Sequence, residues 1–265
     1  MKLNFIKMQG LGNDFMVMDT IRQKIPLSTE RIRQWGDRHF GIGFDQLLLV
    51  EPPKNASTDF YYRIFNFDGS ESGQCGNGAR CIARYIHDEK LSDKRQLKIQ
   101  TYSSEMQTEL HEDNQVSVSM GIPQISKIQL DTQHEFLSGE KYFVDMGNPH
   151  LVLFVPQFSG FSISEVALAA TNSGDFPSGV NVEFVQVINP SHIRLRVYER
   201  GVGETLACGS GACAAVAVGQ TLRLLDQQVT VDLLGGTLEI SWKGNQNPIM
   251  MKGSAERVYS GAIEI

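Results

Sequence analysis

Apolar positions along this chain fall into short runs, interrupted by a few stretches of helical period. Runs rich in β-branched, aromatic and apolar residues at 3–7, 16–19, 47–51 and 60–67 predict strands in the first half. A helix is predicted over 29–38, with Ser28 as its cap and Ile32 and Trp35 on one face. A second helix is predicted over 78–89, and strands follow at 97–101, 105–110 and 115–120. Gly121-Ile122-Pro123 then breaks the pattern and is the predicted linker. The second half repeats the plan: strands at 142–146, 151–155, 182–187 and 193–198, a helix over 162–170, a helix over 211–224, and short strands to the end. The last segment, 257–265, alternates polar and apolar residues and can return to pair with the first half.

Many strands with one dominant helix per half argue for an α+β fold. The expectation is two pseudo-symmetric domains, 1–120 and 121–256, each a mostly antiparallel curved sheet or barrel around a central helix. The second such helix carries Ala212, Ala214, Ala215, Val216, Ala217 and Val218, a small apolar set suited to burial on most sides.

The duplication is sharpest at two cysteines. Glu71-Ser72-Gly73-Gln74-Cys75-Gly76-Asn77-Gly78-Ala79 and Glu204-Thr205-Leu206-Ala207-Cys208-Gly209-Ser210-Gly211-Ala212 both fit E-x-x-x-C-G-x-G-A, half a chain apart. Glycines ahead of a helix let the backbone turn tightly and approach a ligand. The N–H groups of a first helical turn have no partner within the helix, and the dipole there favours an anion such as a carboxylate. The same field is expected to favour thiolate over thiol. One thiol on each side of a cleft between the two halves gives a base on one face of a bound carbon and an acid on the other. That pairing inverts a stereocentre. Cys81 and Cys213 fall further along the helices and are expected to be structural.

Composition narrows the partners. The chain has 265 residues, enough for two ordinary domains, with 41% hydrophobic and 20% charged residues. Lys and Arg number 24 against 30 Asp and Glu, a net charge of −6, which disfavours nucleic acid. No apolar run approaches a membrane span, and the first residues lack the apolar core of an export signal. A cytoplasmic protein is expected, with its four cysteines kept reduced.

The chain resembles diaminopimelate epimerase along its whole length. The matching runs are Lys7-Met8, Gly10 to Phe15, Gly43-Phe44-Asp45-Gln46, Phe65 to Glu71, Cys75 to Cys81, Gly147-Asn148-Pro149-His150, Gly179 to Phe184, Tyr198-Glu199-Arg200-Gly201 and Ala207 to Cys213. Gln9, Gln74 and Ser210 depart from residues common in the family, and none removes a group the chemistry needs. The resemblance implies a cofactor-independent homodimer that interconverts LL- and meso-2,6-diaminopimelate for lysine and peptidoglycan precursors, with no bound metal. It implies that Cys75 is the base toward the LL isomer and Cys208 the acid. Gly76, Asn77, Gly209 and Ser210 would hold the reacting carboxylate, and Asn13 and Gln46 would help place the reacting amino acid. Asn66, Asn148, Asn181, Glu199 and Arg200 would meet the far end of the substrate, Arg200 through its planar fork. His150 and Glu199 would tune the two cysteines. Other readings of the residues are a racemase of proline or hydroxyproline, a thiol-based redox or metal-binding protein, and an amino-acid-binding protein without catalysis.

Overall fold

Each half of the chain wraps a mixed sheet around one buried helix. The computed structural model describes residues 1–73, 75–130 and 134–265. It divides into two units, Met1–Val118 with Gly253–Ile265, and Ser119–Lys252.

The first unit opens with strands β1 (Lys2–Gly10) and β2 (Asn13–Asp19), an antiparallel pair joined at Leu11 and Gly12. Both turn residues hold positive φ, 55° and 85°, which explains the glycine. Helix α1 (Thr29–Gly36) carries the chain to β3 (Gln46–Glu51), which lies parallel to β2 with Phe15 opposite Gln46. Strand β4 (Phe60–Asn66) turns back antiparallel, pairing Asn66 with Gln46, and short β5 (Glu71–Ser72) pairs with β4. Helix α2 (Gly76–Asp88) leads to β6 (Gln96–Gln100), parallel to β4, and then to β7 (Glu105–Leu110) and β8 (Val116–Ser119).

The second unit repeats that order. Strand β9 (Gln124–Gln129) pairs with β10 (Glu140–Asp145), which pairs with β11 (Pro149–Phe154). Helix α3 (Ile163–Thr171), capped by Ser162, leads to β12 (Asn181–Asn189), parallel to β11 with His150 opposite Asn181. Strands β13 (His192–Glu199) and β14 (Gly203–Thr205) precede helix α4 (Gly209–Thr221). Then come β15 (Gln228–Leu233), parallel to β13, β16 (Gly236–Ser241) and β17 (Met250–Gly253). The final strand, β18 (Glu256–Glu264), lies antiparallel along β1 in the first unit.

The result is the α+β architecture expected, mostly antiparallel, with parallel pairs wherever a helix crosses between strands. Core residues follow the strand pattern: Phe15, Met16, Leu47 and Leu48 are inaccessible in the first unit, and Leu151, Val182 and Phe184 in the second. Helix α4 is buried almost all round because its residues are small. A side chain at Gly219, for example, would run into Leu225.

Several boundaries differ from those the pattern predicts. Helix α1 ends at Gly36, because the Asp37 N–H closes onto Arg33 O and the Asp37 carboxylate accepts from the His39 and Phe40 N–H groups instead. Helices α2 and α4 each start two residues early. Cys75 (φ −151°, ψ 106°) and Cys208 (φ −121°, ψ 112°) are extended N-cap residues, so the glycines lie within the first helical turn rather than in a turn before it. Strand β9 was not anticipated, because its polar, mostly exposed residues carry no apolar stripe. Gln74 of the first cysteine motif lies outside the described residues. Among the described residues no helix is long and apolar enough to cross a membrane.

Candidate active site

The two motifs place their cysteines in the same local frame. In the first unit, Cys75 caps α2, and its Sγ accepts the Gly78 N–H at 3.2 Å. A side chain at Gly78 would press on Leu48 at 3.3 Å and come into contact with that sulfur at 3.4 Å. Tyr62 Oη donates to the Cys75 carbonyl at 3.1 Å, and Asn13 Oδ1 stands 3.9 Å from Sγ. Asn13 is aimed by a staple at the β1–β2 turn: its Nδ2 donates to Asp45 Oδ2 at 2.9 Å. Lys7 and Arg38 both bind Asp14 next door, and Arg38 reaches Asp45 as well. Across the β3–β4 pair, Gln46 Nε2 donates to Asn66 Oδ1 at 3.0 Å.

Arg80, left without a role by sequence, is fully buried and supports this corner. Its Nη1 donates to Asn77 Oδ1 and its Nε to Ser254 O, both at 3.0 Å, so it braces the residue two after the cysteine. Arg84 pairs with Asp88 one turn on and is structural. Burial pushes the Cys81 thiol up to about 12, which fits an inert core cysteine. Cys213 is likewise inaccessible.

In the second unit a chain of polar groups leads to Cys208. Glu183 Oε1 lies 2.7 Å from His150 Nδ1, and His150 Nε2 lies 3.0 Å from Asn148 Oδ1. Asn148 Nδ2 donates to Ser210 Oγ at 3.3 Å, and Ser210 Oγ is 3.4 Å from Cys208 Sγ. Glu199 takes a 2.5 Å hydrogen bond from Thr205 Oγ1. Glu199 and Arg200 do not pair with each other: the Arg200 guanidinium crosses Gly179 and donates to Ser178 O at 3.0 Å. Asn181 ties this loop down, donating to Pro149 O and accepting from the Arg200 N–H.

The electrostatics correct one expectation. Burial pushes the Cys208 thiol well above its ordinary value, and the Glu199 and Glu183 carboxylates add to that rise. The Ser210 hydroxyl and the Gly211 N–H oppose it and lose. The field of the helix start therefore does not make Cys208 a thiolate by itself; desolvation and two carboxylates outweigh it. Burial also raises Glu183 and Glu199 above the usual carboxylate range, against hydrogen bonds from His150 and Thr205.

The sequence-predicted residues thus divide between the two units. Asn13, Gln46, Asn66, Gly76 and Asn77 accompany Cys75. Asn148, His150, Asn181, Glu199, Arg200, Gly209 and Ser210 accompany Cys208. A family model described as diaminopimelate epimerase matches residues 5–126 and 142–258. The chain belongs to that family. The family places it among epimerases and isomerases. Solved structures share the fold at low identity. A phenazine biosynthesis protein of the PhzF family from Bacillus anthracis is 15% identical, each chain covering 100% of the other, with a TM-score of 0.75. A hydroxyproline epimerase from Agrobacterium vitis, with bound trans-4-hydroxy-L-proline, is 13% identical over 99% of this chain and 92% of its own, with a TM-score of 0.73. A methylitaconate-delta-isomerase is 11% identical over 99% and 95%, with a TM-score of 0.69.

Sequence reasoning gave no role to Arg80 or Glu183. For Glu183 a signal was present: a carboxylate set among Val182, Phe184 and Val185 in the buried first half of its strand.

Proposed function

We propose that this protein interconverts LL- and meso-2,6-diaminopimelate without a cofactor, using Cys75 and Cys208 as a base and acid pair. The observation that carries the reading is that each unit sets a cysteine as N-cap of its central buried helix, with the same glycine spacing after it. Toward the meso isomer, the Cys75 thiolate takes the α-proton and the Cys208 thiol delivers one to the opposite face. Cys75 is left as thiol and Cys208 as thiolate, which is the starting state for the reverse reaction. Charge that develops on the reacting carboxylate is met by N–H groups at the helix starts, Gly76 and Asn77 in one unit and Gly209 and Ser210 in the other. Asn13 and Gln46 help place the reacting amino acid.

The family match and the polar set Asn66, Asn148, Asn181, Glu199 and Arg200 support diaminopimelate over proline. A substrate with a second ammonium and a second carboxylate uses those groups, and proline has none to offer them. The same reading carries a homodimer in the cytoplasm, supplying lysine and peptidoglycan precursors. Sedimentation equilibrium tests the dimer.

Proton NMR tests the activity. LL-diaminopimelate is incubated with the reduced protein in D2O, with EDTA and without pyridoxal phosphate. Loss of the α-proton signal with appearance of the meso isomer is expected, and alanine at Cys75 or Cys208 is expected to lower turnover by about a thousandfold or more. No exchange by folded, reduced protein, or exchange with proline instead, would reject the assignment.

A further inference from the structure

The two cysteine frames share a plan, and one pair of their differences changes charge beneath the helix start. Phe15 and Leu48 stand in the first unit where His150 and Glu183 stand in the second. The register shows it: Phe15 faces Gln46 across β2 and β3, His150 faces Asn181 across β11 and β12, and Leu48 and Glu183 each lie two residues further along. The packing shows it again. The last residue of each Cys-Gly-x-Gly run, Gly78 or Gly211, is a glycine whose added Cβ would meet Leu48 at 3.3 Å in α2 and Glu183 Oε1 at 2.8 Å in α4. Leu48 and Glu183 therefore occupy the same place under the two helix starts.

We propose that Glu183 is a positioning residue that holds Cys208 in its protonated, proton-donating form, so that the resting protein presents two unequal thiols. Its carboxyl is inaccessible to solvent and sits against the first turn of α4. Oε1 is bound to His150 Nδ1, while Oε2, also buried, has no hydrogen-bond partner among the described residues. A buried carboxylate with one oxygen uncompensated opposes a second negative charge on the nearby sulfur. The link through His150, Asn148 and Ser210 fixes the geometry between carboxyl and thiol.

The titratable groups that bear on Cys208 directly are Glu199 on β13 and Glu183 on β12, and His150 on β11 acts on both of those carboxylates. Glu199 is held by Thr205 and is itself raised by the Glu183 charge, so when Glu183 becomes neutral Glu199 ionises more readily and its own opposition to a Cys208 thiolate remains. Neutral Leu48 makes no such demand on Cys75. The consequence is directional. The resting state, Cys75 ready to accept and Cys208 ready to donate, is the state that receives the LL isomer. This deepens the two-thiol reading above and rests on it.

The test reads each thiol separately. Alkylation by a small haloacetamide is followed against pH, with Cys75 and Cys208 quantified by peptide mass spectrometry. In the unmodified protein Cys208 is expected to become reactive at a higher pH than Cys75; coincident profiles would overturn the proposal whether or not any variant folds. In Glu183→Gln, which keeps the shape and an acceptor for His150, the Cys208 profile is expected to move down by about one pH unit, with Cys75 unmoved. Glu183→Asp keeps the charge and is expected to stay near the unmodified profile. A Glu183→Gln profile that superimposes on the original, or a Cys75 profile that moves with it, would reject the role. The readout needs no turnover. Alkylation as expected without diaminopimelate turnover removes the substrate assignment alone; turnover with unmoved alkylation removes only the role of Glu183.

Discussion

Arg196 grips Glu204 with two parallel hydrogen bonds, Nε to Oε1 at 2.5 Å and Nη2 to Oε2 at 2.7 Å. Arg63 and Glu71 repeat the grip at 2.7 and 2.8 Å, again eight residues apart. The glutamate that opens each cysteine motif therefore anchors the short strand before the helix to the long strand beside it. It is a scaffold group, not a reacting one. Both pairs are about one-third exposed, which limits each to roughly 1 kcal/mol or less. Glu71→Gln and Glu204→Gln are expected to shift the denaturation midpoint by no more than that, while leaving thiol alkylation at Cys75 and Cys208 intact. A loss of several kcal/mol in either would show that the pair does more than hold a strand.

Gly211 and Gly78 separate the two helix starts by a second route. In an exposed helix, alanine for glycine would add up to about 1 kcal/mol of stability. At Gly211 the new methyl would press on Glu183 Oε1 at 2.8 Å, and that oxygen is held by His150 in a fully buried place. At Gly78 it would meet the Leu48 methyls at 3.3 Å, a milder approach that a shift of a few tenths of an ångström relieves. Gly211→Ala is expected to cost about 1–3 kcal/mol and to lower turnover, and Gly78→Ala to cost less. Urea unfolding of both variants checks the order, and the reverse order would contradict the packing described here.

These two sites mark how far the sequence could be read. The duplicated motif, the two dominant helices and the strands that precede them follow from local pattern, because apolar runs and glycine spacing are local properties. The gathering of Asn13, Asn148 and His150 around the cysteines came from the resemblance, not from the pattern, since each alone is an ordinary turn or core residue. The match between Leu48 and Glu183 was not legible. Their equivalence depends on the register of two parallel strand pairs, and register is set by crossovers that span many residues. The raised thiol of Cys208 was missed for a related reason. A helix start can be recognised in a sequence, but the burial and the two carboxylates around it belong to the folded unit.

Asp14 gives a pH dependence of known sign. Burial alone would raise its carboxyl, but hydrogen bonds from Arg38 and Lys7 more than offset this and hold it at about 2, against an ordinary 3.8. The folded value is the lower one, so the stabilisation is fully present above the ordinary value and is lost as pH falls toward 2. The shift corresponds to about 2 kcal/mol. Asp14→Asn is expected to lose most of that at neutral pH and to flatten the acid limb of stability between pH about 4 and about 2. An unchanged acid limb, measured by urea unfolding at a series of pH values, would show that Asp14 does not hold the β1–β2 turn that aims Asn13.

Arg200 decides between substrates that share the two-thiol chemistry. Its backbone is fixed by Asn181, its side chain crosses Gly179, and among the described residues one guanidinium nitrogen is engaged, at Ser178 O. The residue is exposed, and its fork of donors matches the paired hydrogen bonds that a carboxylate accepts. If those donors bind the distal carboxylate of diaminopimelate, removing them costs charge-assisted hydrogen bonds worth about 1.5–3 kcal/mol. Arg200→Met is then expected to raise KM by roughly ten- to a hundredfold, with a smaller change in kcat, because the distal group binds equally in ground and transition states. Arg200→Lys keeps the charge but loses the fork, and is expected to fall between. Steady-state kinetics with both isomers check this. An unchanged KM in Arg200→Met would move the distal carboxylate away from Arg200 and remove the main structural support for a two-headed substrate, leaving a small cyclic amino acid as the better fit to the same pair of thiols.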